Sequence, residues 1–281
     1  MKSLNTYSAY FEIIRPLNLF ITFFAVIVAS LICSSGNLNL SPVLLAALAA
    51  SLTAAAGNVI NDYFDVGIDK INRPDRPLPS GKISLKAASS FYLFLVIVSL
   101  VVASFVTLYI FLVVLLANNL LFLYSYNLKR IPLIGNIIVS FLTGFTFIYG
   151  GLIAGNPKAA IVPAVFAFLI NMIREIVKDI EDIKGDKAVG VITFPSKYGI
   201  RLTKHLLTII IISLIMFTLY PYFSELYSIE FLLIVLFTVN LMLIYILQLL
   251  FKYDSTKNLR KVSSLLKAGM VFGLIAIYFG S

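Results

Sequence analysis

Of the chain's 281 residues 60% are hydrophobic and only 12% charged, and the mean hydropathy is +0.99, which excludes an ordinary soluble domain and identifies an integral membrane protein. The net charge of +9 is not a nucleic-acid signature, because no soluble basic face is visible between the apolar runs. A lone cysteine excludes an intramolecular disulfide, and no His or Cys cluster offers a zinc site.

Cutting at polar clusters predicts an all-α polytopic protein, one transmembrane domain over residues 1–281. About nine spans are expected, at 17–33, 42–60, 88–107, 110–127, 133–154, 160–177, 205–222, 229–251 and 263–280. The N-terminal segment through Phe11 is polar and aromatic and passes through EIIRPLN into the first span, with Pro16 and Asn18 at a helix start. Glu12 and Arg15 just before that span, and no clear small-x-small cleavage site after it, separate it from a signal peptide. Arg15 at its mouth reads either as a topology anchor or as a phosphate contact. Cys33 reads as a small packed side chain. The uncharged turn SSGNLNLSP, with Gly36, Asn37 and Pro42, leads to span two.

Span two runs into Asn58 to Gly81, NVINDYFDVGIDKINRPDRPLPSG, whose prolines end the helix, so the loop to about Ala87 is expected to fold back over a site. The run 88–127 is nearly uncharged and at 1.5 Å per residue covers about 60 Å, twice the hydrocarbon thickness. A hairpin is placed near Thr107 to Phe111. Tyr124, Tyr126, Lys129 and Arg130 follow in YSYNLKRIP, and span five contains Thr146, Tyr149 and Gly150-Gly151. Span six ends in REIVKDIEDIKGD, and the next connection mirrors the Gly, Pro and Lys content of the first loop. His205, the only histidine, reads as an interfacial residue with no nucleophile near it, and Glu225 and Glu230 as solvated outer-turn residues. Alternate connections hold 21 of the 22 basic residues, all but Lys158. This places the N-terminus and the acidic stretches in the cytoplasm and the C-terminus outside.

The chemistry lies in two acidic stretches. Asn58, Asp62, Asp65 and Asp69 are offset by 0, 4, 7 and 11 residues, which at 100° per residue fall within about 60° of one helix face. Glu175, Asp179, Asp182 and Asp186 repeat the spacing. A carboxylate facing lipid costs roughly 2.5–3.5 kcal/mol, so the set is expected to line a hydrated, metal-holding cavity. Asp69, Asp75 and Asp186, farthest from the apolar runs, also fit solvated helix ends. Hard oxygen donors favour Mg²⁺. Arg73, Arg76, Lys129, Arg130 and Lys178 interleave with the acids, and carboxylates, Mg²⁺ and cations together describe a diphosphate site.

NDYFD…D with RPxRPLPSG, YNLKR and KDIEDIKGD resemble the UbiA superfamily of intramembrane prenyltransferases over nearly the whole chain. The resemblance implies nine helices around a central cavity, the two Asp motifs facing each other on the cytoplasmic side, and a prenyl diphosphate bound through Mg²⁺. Asn58, Asp62, Asp65, Asp69, Asp179, Asp182 and Asp186 are then the metal-holding set, with Asp62, Asp65, Asp179, Asp182 and Lys178 catalytic. Arg15, Arg73, Arg76, Tyr126, Lys129 and Lys178 are the diphosphate contacts, with Tyr149 and Arg130 as further candidates. Tyr126 and Tyr149 equally fit ordinary packing. The phrasing INRPDRPLPSG with REIVKDIEDIKGD is most similar to archaeal digeranylgeranylglyceryl phosphate synthases. That likeness implies geranylgeranyl transfer from its diphosphate to the sn-2 hydroxyl of geranylgeranylglyceryl phosphate, a lipid acceptor, with no protein partner and no nucleic acid. The alternatives are an aromatic acceptor such as 4-hydroxybenzoate or dihydroxynaphthoate, and, outside enzymes, a cation transporter. A transporter is expected to hold its acids near the bilayer midplane rather than beside Arg-Pro loops. A CDP-alcohol phosphotransferase would need D-G-x-x-A-R, where this chain has Asp65-Val66-Gly67.

Overall fold

The computed structural model describes residues 2–34, 36, 38–252 and 255–281, and these form helices with no strand among them. Asn37 of the first outer turn, the side chain of Lys2, and Tyr253 and Asp254 of the last connection lie outside the described residues. In chain order the helices are α1 (Lys2–Ile13), α2 (Pro16–Cys33), α3 (Leu40–Phe64), α4 (Val66–Asn72), α5 (Leu85–Ser104), α6 (Leu108–Tyr126), α7 (Ile134–Ile153), α8 (Ile161–Val189), α9 (Phe194–Tyr198), α10 (Ile200–Phe223), α11 (Ile229–Val235), α12 (Leu241–Lys252) and α13 (Thr256–Gly280). A π turn over Leu236–Asn240 joins α11 to α12 as one crossing element. Among the described residues nine helical segments are long and apolar enough to cross a membrane, as the polar clusters predict.

The two spans carrying the acidic stretches are the most enclosed. In both, 61% of the apolar window is buried, against 22–39% in the other seven, so α3 and α8 form the centre and the rest wrap them. The apolar core divides accordingly. One cluster joins α8 to α10 through α13, including Ile173, Ile176, Leu207, Leu243 and Leu266, while another packs Ile13, Ala56, Val59 and Leu95 of α1, α3 and α5 with the loop residues Leu78 and Ile83. A third joins α2, α3, α6 and α7. Leu78 and Ile83 thereby pin the proline-rich loop back against the helix it leaves, and Ile83 N–H donates to Pro77 O at 3.1 Å.

Several boundaries differ from the sequence expectation. The first acidic stretch does not ride one continuous helix. Asp65 takes φ −90°, ψ 3°, α3 ends at Phe64, and Asp69 sits on the separate helix α4. The second stretch does lie on one helix, because α8 continues past residue 177 to Val189, where Gly190 (φ 75°) supplies the left-handed cap. The turn after α5 falls at 105–107, slightly before the expected hairpin, and Thr107 caps α6 by accepting from Ile110 N–H at 3.1 Å. The N-terminal segment forms α1, and α13 starts at Thr256 rather than 263. Arg174, Lys178 and Lys267, counted by charge pattern with the connections, lie inside crossing helices and line the cavity. Cys33 is buried, while His205, Glu225 and Glu230 are exposed.

α2 and α7 approach so closely that a Cβ added to Gly150 would lie 2.6 Å from Ala29 Cβ and 2.7 Å from Val26 O, and Ser30 Oγ donates to Gly150 O at 3.0 Å across the same contact. Gly150→Val is therefore expected to destabilise the fold by about 1–3 kcal/mol, read as a lower unfolding temperature of the detergent-solubilised protein. An unchanged temperature would mean the two helices are free to separate.

Candidate active site

The break at Asp65 decides what each acid of the first stretch meets. Asp62, still on α3, is paired by Arg15 and lies 3.4 Å from Arg76. Asp65, at the break, accepts from Lys129 Nζ at 2.5 Å and from Asn61 Nδ2 at 2.9 Å. Asp69, one short helix later, accepts from Arg76 at 2.7 Å and lies 3.8 Å from Arg73. Asp62 and Asp69 are 4% and 1% exposed, so Asp69 is enclosed rather than a solvated end, as is Asp186 at 5%, while Asp75 is exposed as expected. Burial pushes the Asp69 carboxyl above the usual carboxylate range, and Arg76 offsets this only in part.

The two stretches meet through Arg73 and Asn72. The Arg73 guanidinium reaches Asp182 at 2.9 Å and Glu181 at 3.0 Å. Asn72 Nδ2 donates to Asp182 O at 3.0 Å, and its Oδ1 accepts from Gly185 N–H at 3.2 Å, which ties the end of α4 to α8. Burial alone would lower the Arg73 pKa, but Asp182 and Glu181 outweigh it and hold the guanidinium raised. Asp179 accepts from Asn136 Nδ2 of α7 at 2.9 Å, and Asp186 interacts electrostatically with Asp182, Asp65 and Lys129. Arg15 is set between α1 and α2 in the left-handed region (φ 56°, ψ 72°). Its guanidinium approaches Asn58 Oδ1 at 3.5 Å, while Asn58 Nδ2 donates to Ile14 O at 2.8 Å.

Beneath this cluster lies a cavity of about 300 Å³ whose polar end is formed by Arg15, Asn58, Tyr124, Arg174, Glu175 and Lys178. Deeper, its walls turn apolar, with Phe147, Phe166, Leu214 and Phe231 among them. Lys178 stands at the junction, its Nζ donating to Glu175 at 2.8 Å. Tyr126 points elsewhere. It is 57% exposed, stacks on Phe122 and meets Phe64 edge-on at the outer surface, because a residue two positions from Tyr124 on a helix is turned about 200° away. Tyr124 is the tyrosine of that turn that lines the cavity. Tyr149 also lines it, with its hydroxyl donated to Ala46 O at 3.3 Å, and Arg130 is exposed. The residues that sequence spacing misses are mostly amides, Asn61, Asn72 and Asn136, together with Glu181, Arg174 and Lys267. An asparagine carries no periodic signal of its own, and the cations inside spans six and nine were absorbed by the charge rule.

The donor set of Asn58 and the six aspartates is all oxygen, which suits Mg²⁺. Among the described residues no three acidic side chains converge as a metal cage, because Asp62, Asp65, Asp69, Asp179 and Asp182 are each drawn onto a neighbouring cation or amide. Mg²⁺ characteristically takes one or two carboxylates and completes its shell with water and phosphate oxygens, so the set fits an ion shared with a diphosphate. Asp182 Oδ1 adds an acceptor for it. It is buried and lies 2.9 Å from Arg73 Nη2, yet it is not aligned for a hydrogen bond.

The model of the UbiA prenyltransferase family matches residues 20–271. The digeranylgeranylglyceryl phosphate synthase of Methanosphaera stadtmanae is 36% identical over 274 residues, 97% of this chain and 98% of that one. A solved structure concerned with digeranylgeranylglyceryl phosphate synthase in membranes is similar at TM-score 0.74 and 34% identity, covering 98% of both chains. A UbiA homolog from Archaeoglobus fulgidus bound to DMAPP and Mg²⁺ shares the fold at TM-score 0.68 and 19% identity, over 96% of this chain and 99% of that one. With paired acidic stretches above an intramembrane cavity and a family match spanning most of its length, the chain belongs to the UbiA prenyltransferase family.

Proposed function

We propose that the chain transfers a geranylgeranyl group from geranylgeranyl diphosphate to the sn-2 hydroxyl of geranylgeranylglyceryl phosphate. The observation that carries this reading is the junction of Arg73 with Asp69 and Asp182, which sets both acidic stretches over the polar end of an apolar cavity. The names of the relatives support the choice of acceptor. Arg73, Arg76 and Lys129 are the diphosphate contacts, while Arg15 is held by Asp62 and Lys178 turns to Glu175 on the cavity wall, and Mg²⁺ would be held by side-chain oxygens drawn from the set Asn58, Asp62, Asp65, Asp69, Asp179, Asp182 and Asp186. When bound, Mg²⁺ neutralises charge developing on the departing diphosphate. The cations of the loop and of Lys129 stabilise the same charge, and the apolar cavity takes the prenyl tail. The allylic carbon–oxygen bond breaks and the acceptor oxygen forms the new ether bond. The hydroxyl proton passes to a motif carboxylate or to the released diphosphate. Tyr124, at the cavity's polar end, takes the place expected of Tyr126 beside the diphosphate, where its ring can also face the allylic cation.

The charge distribution supports a cytoplasmic N-terminus and active site and an outer C-terminus. In a variant lacking Cys33, a cysteine at Lys158 is expected to react with a membrane-impermeant maleimide added outside intact cells, and one at Lys82 only after lysis. The opposite pattern reverses the orientation.

With purified protein and Mg²⁺, geranylgeranylglyceryl phosphate is expected to be turned over in preference to 4-hydroxybenzoate or dihydroxynaphthoate. Turnover of an aromatic acid alone would sink the acceptor assignment. Asp62→Ala and Asp179→Ala are each expected to lower kcat more than about 100-fold, and chelation of Mg²⁺ to abolish turnover. Full activity in either variant separates the two stretches into independent sites. Asn72→Ala, which unties α4 from α8, is expected to cost about tenfold in kcat/KM, measured at saturating Mg²⁺.

A further inference from the structure

Arg15, Arg73, Arg76 and Lys129 each meet an aspartate of the first stretch, but the cations on the cavity wall do not. Arg174 Nη1 donates to Glu175 at 2.7 Å and Lys178 Nζ donates to the same carboxylate at 2.8 Å, so one acid serves two bases. Arg15, nearby, is taken by Asp62. Lys267 of α13 lines the same cavity and makes no hydrogen bond or ion pair among the described residues, yet it interacts electrostatically with Arg174, Arg15, Lys178 and Glu175. Arg174 Nε is buried without a partner. Arg174, Lys178 and Lys267 against Glu175 leave a surplus of two positive charges.

That surplus is on a cavity wall and not in a connection. Arg174 and Lys267 both lie within helices long and apolar enough to cross a membrane, α8 and α13, and both line the cavity. Unmatched cations at such positions are expensive and mark a bound anion or an ion path. Among the described residues neither Arg174 nor Lys267 bonds to an aspartate of either stretch, whereas Arg73, Arg76 and Lys129 all do, which sets the wall cations apart from the group assigned to the diphosphate. The wall therefore addresses a second anion. A phosphate monoester carries about −1.5 to −2 at pH 7, close to the surplus.

We propose that Arg174, Lys178 and Lys267 form a phosphate-monoester subsite that holds the acceptor by its headgroup, separate from the diphosphate site. This rests on the glyceryl phosphate reading of the acceptor. The subsite anchors the phosphate on the α8–α13 wall and leaves the sn-2 hydroxyl, on the same glycerol, to face the allylic carbon. It also makes the headgroup phosphate, rather than the tail alone, the basis on which acceptors are chosen.

The test is initial-rate kinetics on full-length protein, varying each substrate in turn, for wild type, Lys267→Met and Lys267→Arg. Lys267→Met is expected to raise KM for geranylgeranylglyceryl phosphate about tenfold or more while KM for geranylgeranyl diphosphate stays within about twofold, and Lys267→Arg to restore most of the loss. The wild-type preference for that acceptor over geranylgeranylglycerol, which lacks the phosphate, is expected to collapse in Lys267→Met. A rise confined to the donor KM, or an unchanged acceptor KM in a variant that melts like wild type, overturns the subsite and leaves the proposed reaction standing. A wild type that does not use geranylgeranylglyceryl phosphate overturns the reaction itself. Should Lys267→Met not fold, inorganic phosphate on the wild type decides. Competition against the acceptor supports the subsite, and competition against the donor alone, or none, overturns it.

Discussion

Arg73 stands between carboxylates from distant parts of the chain, 3.8 Å from Asp69 and 2.9 Å from Asp182, with Glu181 at 3.0 Å. Two helices rich in acid would repel each other at that separation in a poorly screened interior. A guanidinium placed between them turns repulsion into attraction, and its planar fork lets one side chain address several oxygens. The enclosure of α3 and α8 depends on this, because a central position for both helices brings their charged ends together. The loop that supplies Arg73 and Arg76 is in turn pinned by Leu78 and Ile83, so apolar burial fixes the cations and the cations fix the acids.

Much of this was legible in the sequence. Nine apolar runs, the repeated offsets of the two acidic stretches and the interleaved bases follow from length, period and charge, and the spacing of Glu175, Asp179, Asp182 and Asp186 does lie on one helix. The break at Asp65 was less visible, because nothing but Gly67 interrupts a pattern that would otherwise continue. Its effect is large. By changing direction there, the chain gives Asp65 to Lys129 and Asp69 to Arg76 instead of aligning all four residues on one face. The choice between Tyr124 and Tyr126 depended on helix phase, which composition does not supply. Arg174 and Lys267 were hidden for a different reason, since a rule that assigns basic residues to loops cannot distinguish a loop from a cavity wall.

Asparagine does much of the positioning. Asn72 ties α4 to α8, Asn136 meets Asp179 and Asn61 meets both Asp65 and Lys129, while Asn58 holds the α1–α2 corner through Ile14 O. An amide can donate and accept without adding charge, so it orients carboxylates without quenching them. Fixing those groups in advance lowers the reorganisation needed when a highly charged substrate arrives.

Position 15 carries two demands that no single replacement meets. The left-handed backbone between α1 and α2, directly before Pro16, suits glycine or asparagine, whereas Asp62 and Asn58 need a long, permanently charged side chain. Glycine would ease the corner and leave Asp62 with Arg76 alone. Lysine would keep the charge but lose the fork. The set of tolerated substitutions is therefore close to empty, and a conformationally costly arginine stands where the chain first enters the membrane.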